Sequence, residues 1–506
     1  MDTIIILDFG SQVTQLIARR LRAMQYNAEI VPYHVSIERL NRSMIKGIIL
    51  SGGPSSVYTK NGALPDPRIF ELGKPILGIC YGIQVMAHML GGKVEKGKQR
   101  EYGKAEIVSH GKLFVGTPKK QTVWMSHFDI VSKLPSGFQA VASSQNSPYA
   151  GIWEKSKNFY GVQFHLEVAH TEYGTKILEN FAKICNMRKQ WTAHQALDHA
   201  NALIRENVRM NNVVNAISGG VDSTVLALLL KKALPAKRVR NIFIDNGLLR
   251  QDEAREVRLK FKSLGLKVEF IDASEKFLMA LKGVTDPEQK RKIIGRVFIE
   301  VFMKHIGPRD FLSQGTLYPD VIESVKVHGP SDTIKTHHNR APEVLELIKQ
   351  GRVVEPLKEL FKDEVRALGH ELGLPDDAIW RHPFPGPGLA IRILGDVTSE
   401  RLAILRHADA IFIEEIRKAN LYKKISQAFA ALDTSRAVGV KGDEREYGYM
   451  ILLRAITTPD FMTADWYRFE PDFLAHVSNR IVNEVSGVTR VLYDITQKPP
   501  ATICYM

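Results

Sequence analysis

Ile217-Ser218-Gly219-Gly220-Val221-Asp222-Ser223-Thr224 is the stretch that decides how this chain is read. The β-branched run Val213-Val214-Asn215-Ala216-Ile217 leads into it, and the helical pattern Val225-Leu226-Ala227-Leu228-Leu229-Leu230 leaves it. A strand that turns through Ser and Gly into a helix offers unpaired backbone N–H groups and a positive helix end to an anion. Gly219 and Gly220 carry no Cβ, so the backbone can approach a phosphate closely. Ser218, Ser223 and Thr224 add hydroxyl donors. The stretch reads as a phosphate cradle. An ordinary β–α turn shares the local geometry but not the whole string.

The common P-loop, G-x-x-x-x-G-K-[ST], carries a lysine aimed at the β- and γ-phosphates. Here the first lysine is Lys231, roughly two helical turns further on. The form Ser218-Gly219-Gly220-Val221-Asp222-Ser223-Thr224 instead resembles the pyrophosphate loop of enzymes that split ATP into AMP and pyrophosphate. That resemblance implies adenylation of a carbonyl oxygen, followed by displacement of AMP by a nucleophile.

Working outward toward the C-terminus, apolar strands at residues 240–245 and 267–272 flank a helical pattern at 252–264. This βαβαβ start predicts a doubly wound sheet with its ligand at the strand C-termini. Residues 326–352 are polar and irregular, as in a lid. The cluster Pro383-Phe384-Pro385-Gly386-Pro387-Gly388 marks a break, and residues 389–506 mix helices and strands. Toward the N-terminus, residues 4–7, 47–50 and 75–80 are continuous apolar runs of the kind buried in a parallel sheet. Helical patterns at 14–24 and 83–90 lie between them. From about 104 to 165 the pattern shifts to shorter, alternating strands, and a polar stretch at 186–190 precedes a helix at 193–208. The expected fold is α/β, with two doubly wound, mostly parallel sheets and a small α+β C-terminal part. The expected domains are 1–187, 188–382 and 383–506.

A chain of 506 residues is too long for one core and accords with this division. Three cysteines, Cys80, Cys185 and Cys504, form no disulfide framework, so a reducing compartment and a cytoplasmic location are expected. The apolar run at 3–7 is too short for a signal peptide, and no apolar stretch has the ~20 residues that span a bilayer. The net charge of +14 suits anionic partners. Its scatter, densest at Lys231-Lys232, Lys237-Arg238 and Arg240, favours nucleotides over nucleic acid, which is not expected as a partner.

A second motif lies upstream. Gly78-Ile79-Cys80-Tyr81-Gly82 has the G-x-nucleophile-x-G form of an elbow between strand and helix. A thiol at a helix N-terminus has a lowered pKa, which favours the thiolate. In Phe164-His165-Leu166-Glu167, a strand would place His165 and Glu167 on one face. Glu167 can then orient His165, and His165 can exchange a proton with Cys80. Gly52-Gly53 ends another apolar strand, and its N–H groups, with that of Tyr81, are candidates for an oxyanion hole.

Gly52-Gly53-Pro54, Gly78-Ile79-Cys80-Tyr81-Gly82-Ile83-Gln84 and His165-Leu166-Glu167, in this order, resemble the class I glutamine amidotransferases. Joined to the loop at 218–224, they are similar to the glutamine-hydrolysing GMP synthetases. Agreement extends to Gln314–Ser324, Lys335–Asn339, Arg381–Leu389 and Asp494–Pro500, so the resemblance covers essentially the whole chain.

It implies that the first domain hydrolyses glutamine through a thioester on Cys80, with Gln84 and Asp129 contacting glutamine. It implies further that the second domain uses ATP to adenylate the C2 oxygen of xanthosine monophosphate (XMP), and that ammonia then displaces AMP to give GMP. Magnesium would bridge the ATP phosphates, and the C-terminal part would form a homodimer. By position and charge, Asp245 is placed for adenosine, Asp320 and Glu323 for the metal side, and Arg296 and Lys498 for the substrate phosphate. The metal ligands are not specified. His337-His338 lack partners at ligand spacing and read as a lid contact.

The sequence departs from the family at four places. Leu166 stands for a proline. Phe128 stands for a glycine between His127 and Asp129, which is expected to narrow the glutamine pocket. Arg340-Ala341-Pro342 replaces a glycine-rich continuation, and Thr502-Ile503-Cys504-Tyr505-Met506 replaces an ending with glutamates around a tryptophan. Other readings are an amidating ligase that makes NAD or an amino-acid amide, a tRNA-modifying enzyme, and a non-catalytic regulator. The intact Cys80, His165 and Glu167 argue against the last.

Overall fold

The computed structural model describes residues 1–11, 13–59, 62–317, 342–458, 461 and 463–505. They form two compact units, residues 1–196 and residues 197–317 with the described residues from 342 onward.

The first unit is built on one nine-stranded sheet. Its strands are β1 (Thr3–Asp8), β2 (Ala28–Pro32), β3 (Ile45–Leu50), β4 (Ile76–Ile79), β5 (Lys93–Ser109), β6 (Lys120–Lys133), β7 (Phe138–Ser143), β8 (Gly151–Glu154) and β9 (Phe159–Val162). The order is β2-β1-β3-β4-β9-β8-β7-β5-β6. The first five in that order pair in parallel, and the rest are antiparallel. Ile4 to Leu7 are fully buried, as uninterrupted apolar strands must be when helices cover both faces. On one face Ile5, Leu7, Ile48, Leu50 and Ile76 pack with Ile83 and Met86 of the helix Tyr81–Met89. On the other, the helix Gly174–Ile184 approaches β3 at Gly47, where a Cβ would meet Phe181 at 3.6 Å. The antiparallel part differs from the shorter strands expected: β5 runs for 17 residues. Its register against β6 shifts between Lys96 and Glu101, and this irregularity breaks the alternation that sequence periodicity relies on.

The second unit holds a five-stranded, wholly parallel sheet. It comprises β10 (Val213–Ala216), β11 (Val239–Asp245), β12 (Val268–Asp272), β13 (Phe311–Ser313) and β14 (Val353–Val354), in the order β12-β11-β10-β13-β14. The order reverses at β10, so the crevice beyond its C-terminal end is where a doubly wound sheet binds ligands. The stretch 217–224 leaves β10 at that end. A further sheet contains β15 (Ile393–Leu394), β16 (Gln427–Lys441), β17 (Glu444–Thr457), β18 (Asp465–Trp466) and β19 (Val488–Tyr493). One apolar core joins the two sheets, running from Val214, Ile242 and Leu312 to Leu389, Phe412, Ile451 and Val488. Of the lid expected at 326–352, residues 342–349 form the helix Pro342–Lys349. Asp320, Glu323, His337 and His338 lie outside the described residues.

Candidate active sites

Cys80 directly follows β4 and caps the helix Tyr81–Met89 at φ 52. A non-glycine residue in that region is strained, and close packing sustains it. A Cβ on Gly82 would lie 2.2 Å from the Leu50 carbonyl oxygen, and one on Gly78 would lie 2.5 Å from the Gly82 carbonyl carbon. The glycines thus let the elbow sit directly on β3. Cys80 is buried, its thiol directed to the Ser126 carbonyl oxygen at 3.7 Å, with Gln163 Nε2 at 4.0 Å.

His165 reaches Cys80 and Glu167 stands behind His165, but not from a strand. β9 ends at Val162. One further bond, from the Gln163 N–H to the Ala150 carbonyl, extends its pairing with β8, and the chain then turns so that the His165 N–H donates to the Trp124 carbonyl on β6. His165 makes only an isolated bridge, and Glu167 lies in a bend. The bend is held by Thr171 Oγ1, which donates to the His165 carbonyl at 2.5 Å. Leu166 is buried against Gly174, where a Cβ would lie 2.0 Å from the Leu166 oxygen. His165 Nδ1 is 2.7 Å from Glu167 Oε1. Burial disfavours the charged imidazole, yet its hydrogen bonds and charge interactions with Cys80 and Glu167 prevail, holding the His165 pKa well above the usual range. A thiol paired with an imidazolium has the character of a nucleophile.

Glu167→Gln removes one of the charges that raise the His165 pKa. The imidazolium then loses its proton at lower pH, so the alkaline limb of the glutamine-dependent rate is expected to move toward lower pH. The rate itself should fall by about 10²-fold. Ammonia release from glutamine, followed across pH, checks this, and an unmoved limb contradicts it.

Gly52 lies at the end of β3, where a Cβ would be 3.2 Å from His165 Cε1. A Cβ on Gly53 would be 3.2 Å from Tyr81 Cδ1. The three candidate oxyanion residues therefore converge on the elbow. Gln84 is buried and donates from Nε2 to the Asp129 carbonyl at 2.8 Å. The Asp129 carboxylate accepts hydrogen bonds from Ser56 Oγ and, at 2.8 Å, from Tyr58 OH. Sequence reading missed Ser56 and Tyr58, which lie in a loop without periodicity. Phe128 does not narrow the surroundings of the Asp129 carboxylate. It projects from the opposite face of β6, and the Arg100 guanidinium sits 5.3 Å from its ring centroid.

In the second unit, Gly219 takes φ 78, and Gly220 caps the helix Val221–Ala233. A Cβ on Gly219 would approach Val257 to 2.6 Å, so both conformation and space require glycine. Ser218 N–H donates to Ser223 Oγ at 3.1 Å, and Thr224 Oγ1 donates to the Gly220 carbonyl at 2.8 Å. These bonds hold the turn open around its N–H groups. Arg381 Nη1 and Lys260 Nζ donate to the Gly219 carbonyl at 3.1 and 3.3 Å. Burial, with the Arg381 charge nearby, pushes the Lys260 pKa down to about 8. A polyanion beside it restores the ammonium. Lys362 Nζ lies 2.7 Å from Asp222 Oδ1. Sequence reading did not single out Lys362 as a partner of the loop.

The strands, the elbow and the loop find the same partners in family comparisons. The class-I glutamine amidotransferase model matches residues 5–185, the NAD synthase model matches 196–297, and the GMP synthase C-terminal domain model matches 414–505. A Chlorobium luteolum protein named GMP synthase [glutamine-hydrolyzing] is 50% identical, covering 99% of each chain. Proteins of the same name from Candida albicans and Saccharomyces cerevisiae are 54% and 52% identical over 99% of this chain and 96% and 97% of theirs. The chain belongs to the glutamine-hydrolysing GMP synthase family.

Asp245, expected from its position and charge to face adenosine, accepts the Gly247 N–H at 2.9 Å and so shapes the turn after β11. Arg296 is exposed on the helix Pro287–Met303, 3.9 Å from Glu300. Lys498 Nζ donates to the Phe461 carbonyl at 2.7 Å. A different cationic cluster lies beside the Pro/Gly segment. Arg392 is fully buried between Phe384 and Phe429, its guanidinium carbon 5.1 and 4.4 Å from their ring centroids. Its nearest carboxylate oxygen, on Asp409, is 3.5 Å away, while Arg250 Nε takes the other oxygen at 2.9 Å. No nitrogen of the Arg392 guanidinium has a hydrogen-bond partner among the described residues. The final segment is held by Arg454, which donates to the Ile503 and Thr502 carbonyls at 2.9 and 3.0 Å.

Proposed function

We propose that the chain makes GMP from XMP with glutamine as nitrogen donor. The membership at full chain length, with both sites present, carries this reading. Cys80 attacks the glutamine carboxamide, His165 protonates the departing ammonia, and water hydrolyses the thioester to glutamate. Gly53 and Tyr81 N–H groups receive the oxyanion, with Gly52 forming the wall against His165, and Gln84 and Asp129 orient the substrate.

At the second site, Ser218 to Thr224 cradle the pyrophosphate part of ATP, and Lys260, Lys362 and Arg381 answer its charge. The XMP C2 oxygen attacks the α-phosphorus and expels pyrophosphate. Ammonia then adds at C2 and expels AMP. Among the described residues no three metal-binding side chains cluster. Asp222 and the loop hydroxyls would face a magnesium ion that arrived with ATP. Such an ion would supply neutralisation of the phosphate charge. Arg392, its guanidinium without a hydrogen-bond partner among the described residues, and its neighbour Arg250 are further candidates for XMP, in addition to Lys498 and Arg296. Cys504 brings no carboxylate to that nucleotide.

A division into domains 1–187, 188–382 and 383–506, a homodimer formed through the last, and a cytoplasmic location complete the proposal. No helix among the described residues is long and apolar enough to cross a membrane.

Purified protein given ATP, magnesium and XMP, with glutamine or ammonia, is expected to release AMP and pyrophosphate in step with GMP. AMP release that requires deamido-NAD or tRNA instead of XMP overturns the reading.

A further inference from the structure

Ser51 precedes the two glycines, is fully buried, and carries a hydroxyl with three polar neighbours. Its Oγ donates to the Gly52 carbonyl at 2.9 Å and accepts the Phe9 N–H at 3.2 Å. The third neighbour is Thr14 Oγ1, 3.2 Å from Ser51 Oγ and 2.9 Å from Asp8 Oδ1. The same Asp8 oxygen accepts the Gly10 N–H at 3.0 Å. Asp8 and Leu50 end the neighbouring parallel strands β1 and β3, and Thr14 opens the helix Thr14–Ala23. The network therefore spans the strand ends and that helix.

A trans peptide points its C=O and N–H in opposite directions. Fixing the Gly52 carbonyl on Ser51 Oγ therefore fixes the direction of the Gly53 N–H. This matters because the peptide joins two glycines, whose backbone is otherwise free to rotate. The peptide is wedged between His165 on the Gly52 side and Tyr81 on the Gly53 side, as their close approaches show. A rotation of this peptide would turn the Gly53 N–H with it.

We propose that Ser51, supported by Thr14 and Asp8, is a positioning residue that locks the Gly52–Gly53 peptide as an oxyanion donor. The inference rests on the reading of Cys80 as the glutaminase nucleophile. Ser51 touches neither thiol nor imidazole, so its influence passes through one peptide plane. An oxyanion donor lost outright costs about 10²–10³ in rate, and a donor left present but free to rotate costs less.

The test uses the full chain. Ser51→Ala is expected to lower kcat with glutamine by about tenfold or more, with KM for glutamine within about twofold. Ammonia-dependent GMP formation and the rate of Cys80 alkylation by iodoacetamide should be unchanged, since neither needs an oxyanion hole. Thr14→Val keeps the side-chain shape and removes the hydroxyl, and should give the same split with a smaller loss. Unchanged kcat with glutamine in both variants overturns the proposal. So does an equal loss with glutamine and ammonia, which marks a general structural role. Cys80→Ala run in parallel separates the two levels: glutamine-dependent activity surviving in that variant sinks the nucleophile reading itself.

Discussion

Cys80→Ala is expected to abolish glutamine-dependent GMP formation, by about 10⁴-fold or more, while leaving ammonia-dependent formation within about twofold. The size follows from the chemistry. Without the thiolate there is no thioester, and neither the His165–Glu167 pair nor the oxyanion donors can supply a nucleophile of comparable strength. The selectivity follows from the fold. Cys80 sits on the nine-stranded sheet of the first unit, whereas the phosphate loop leaves β10 of the second. Free ammonia bypasses the first site altogether. The substitution removes one sulfur atom from a buried elbow held by Gly78 and Gly82, a small change in packed volume. Assaying GMP with each nitrogen donor decides the matter, and loss of both activities would assign Cys80 to structure.

Much of this arrangement was legible because it is local. The loop at 217–224 announces itself through glycines and hydroxyls in one strand–turn–helix, and the elbow at 78–82 through a cysteine between spaced glycines. His165 and Glu167 were legible as a pair, though for a reason the structure changes. They meet across a bend between two ladders, not along a pleat, and alternation in sequence cannot distinguish these. Lys362 and Arg381 were not legible as loop partners. They come from 140 residues beyond Asp222 and 162 beyond Gly219, and their contacts exist only once the chain is folded. Residues 389–506 read in sequence only as a mixture of helices and strands, and the helix Ser399–Lys418 with its buried face emerges from the structure. The sequence pattern carried no information that Phe412 shares a core with Ile242 on the nucleotide-side sheet.

Asp222→Ala is expected to reduce XMP-dependent release of AMP and pyrophosphate by about 10²-fold or more, equally with glutamine and with ammonia. A hundredfold corresponds to about 2.7 kcal/mol. Loss of helix N-terminal charge compensation accounts for about 0.3–1 kcal/mol of stability at such partly exposed positions, so folding alone is too small a source. The larger source is Lys362. Its ammonium is paired with the Asp222 carboxylate, and in the proposed function it answers pyrophosphate charge. Without Asp222 that ammonium is no longer directed to the pyrophosphate site. Lys362→Met should therefore lose rate to a similar extent, and the double variant should be little worse than either single one, the non-additivity expected of residues that act as a unit. Alkylation of Cys80 should proceed at the parental rate in all three. Fully additive losses would mean that Asp222 and Lys362 act independently, and full ATP cleavage by Asp222→Ala would remove the loop from the reaction.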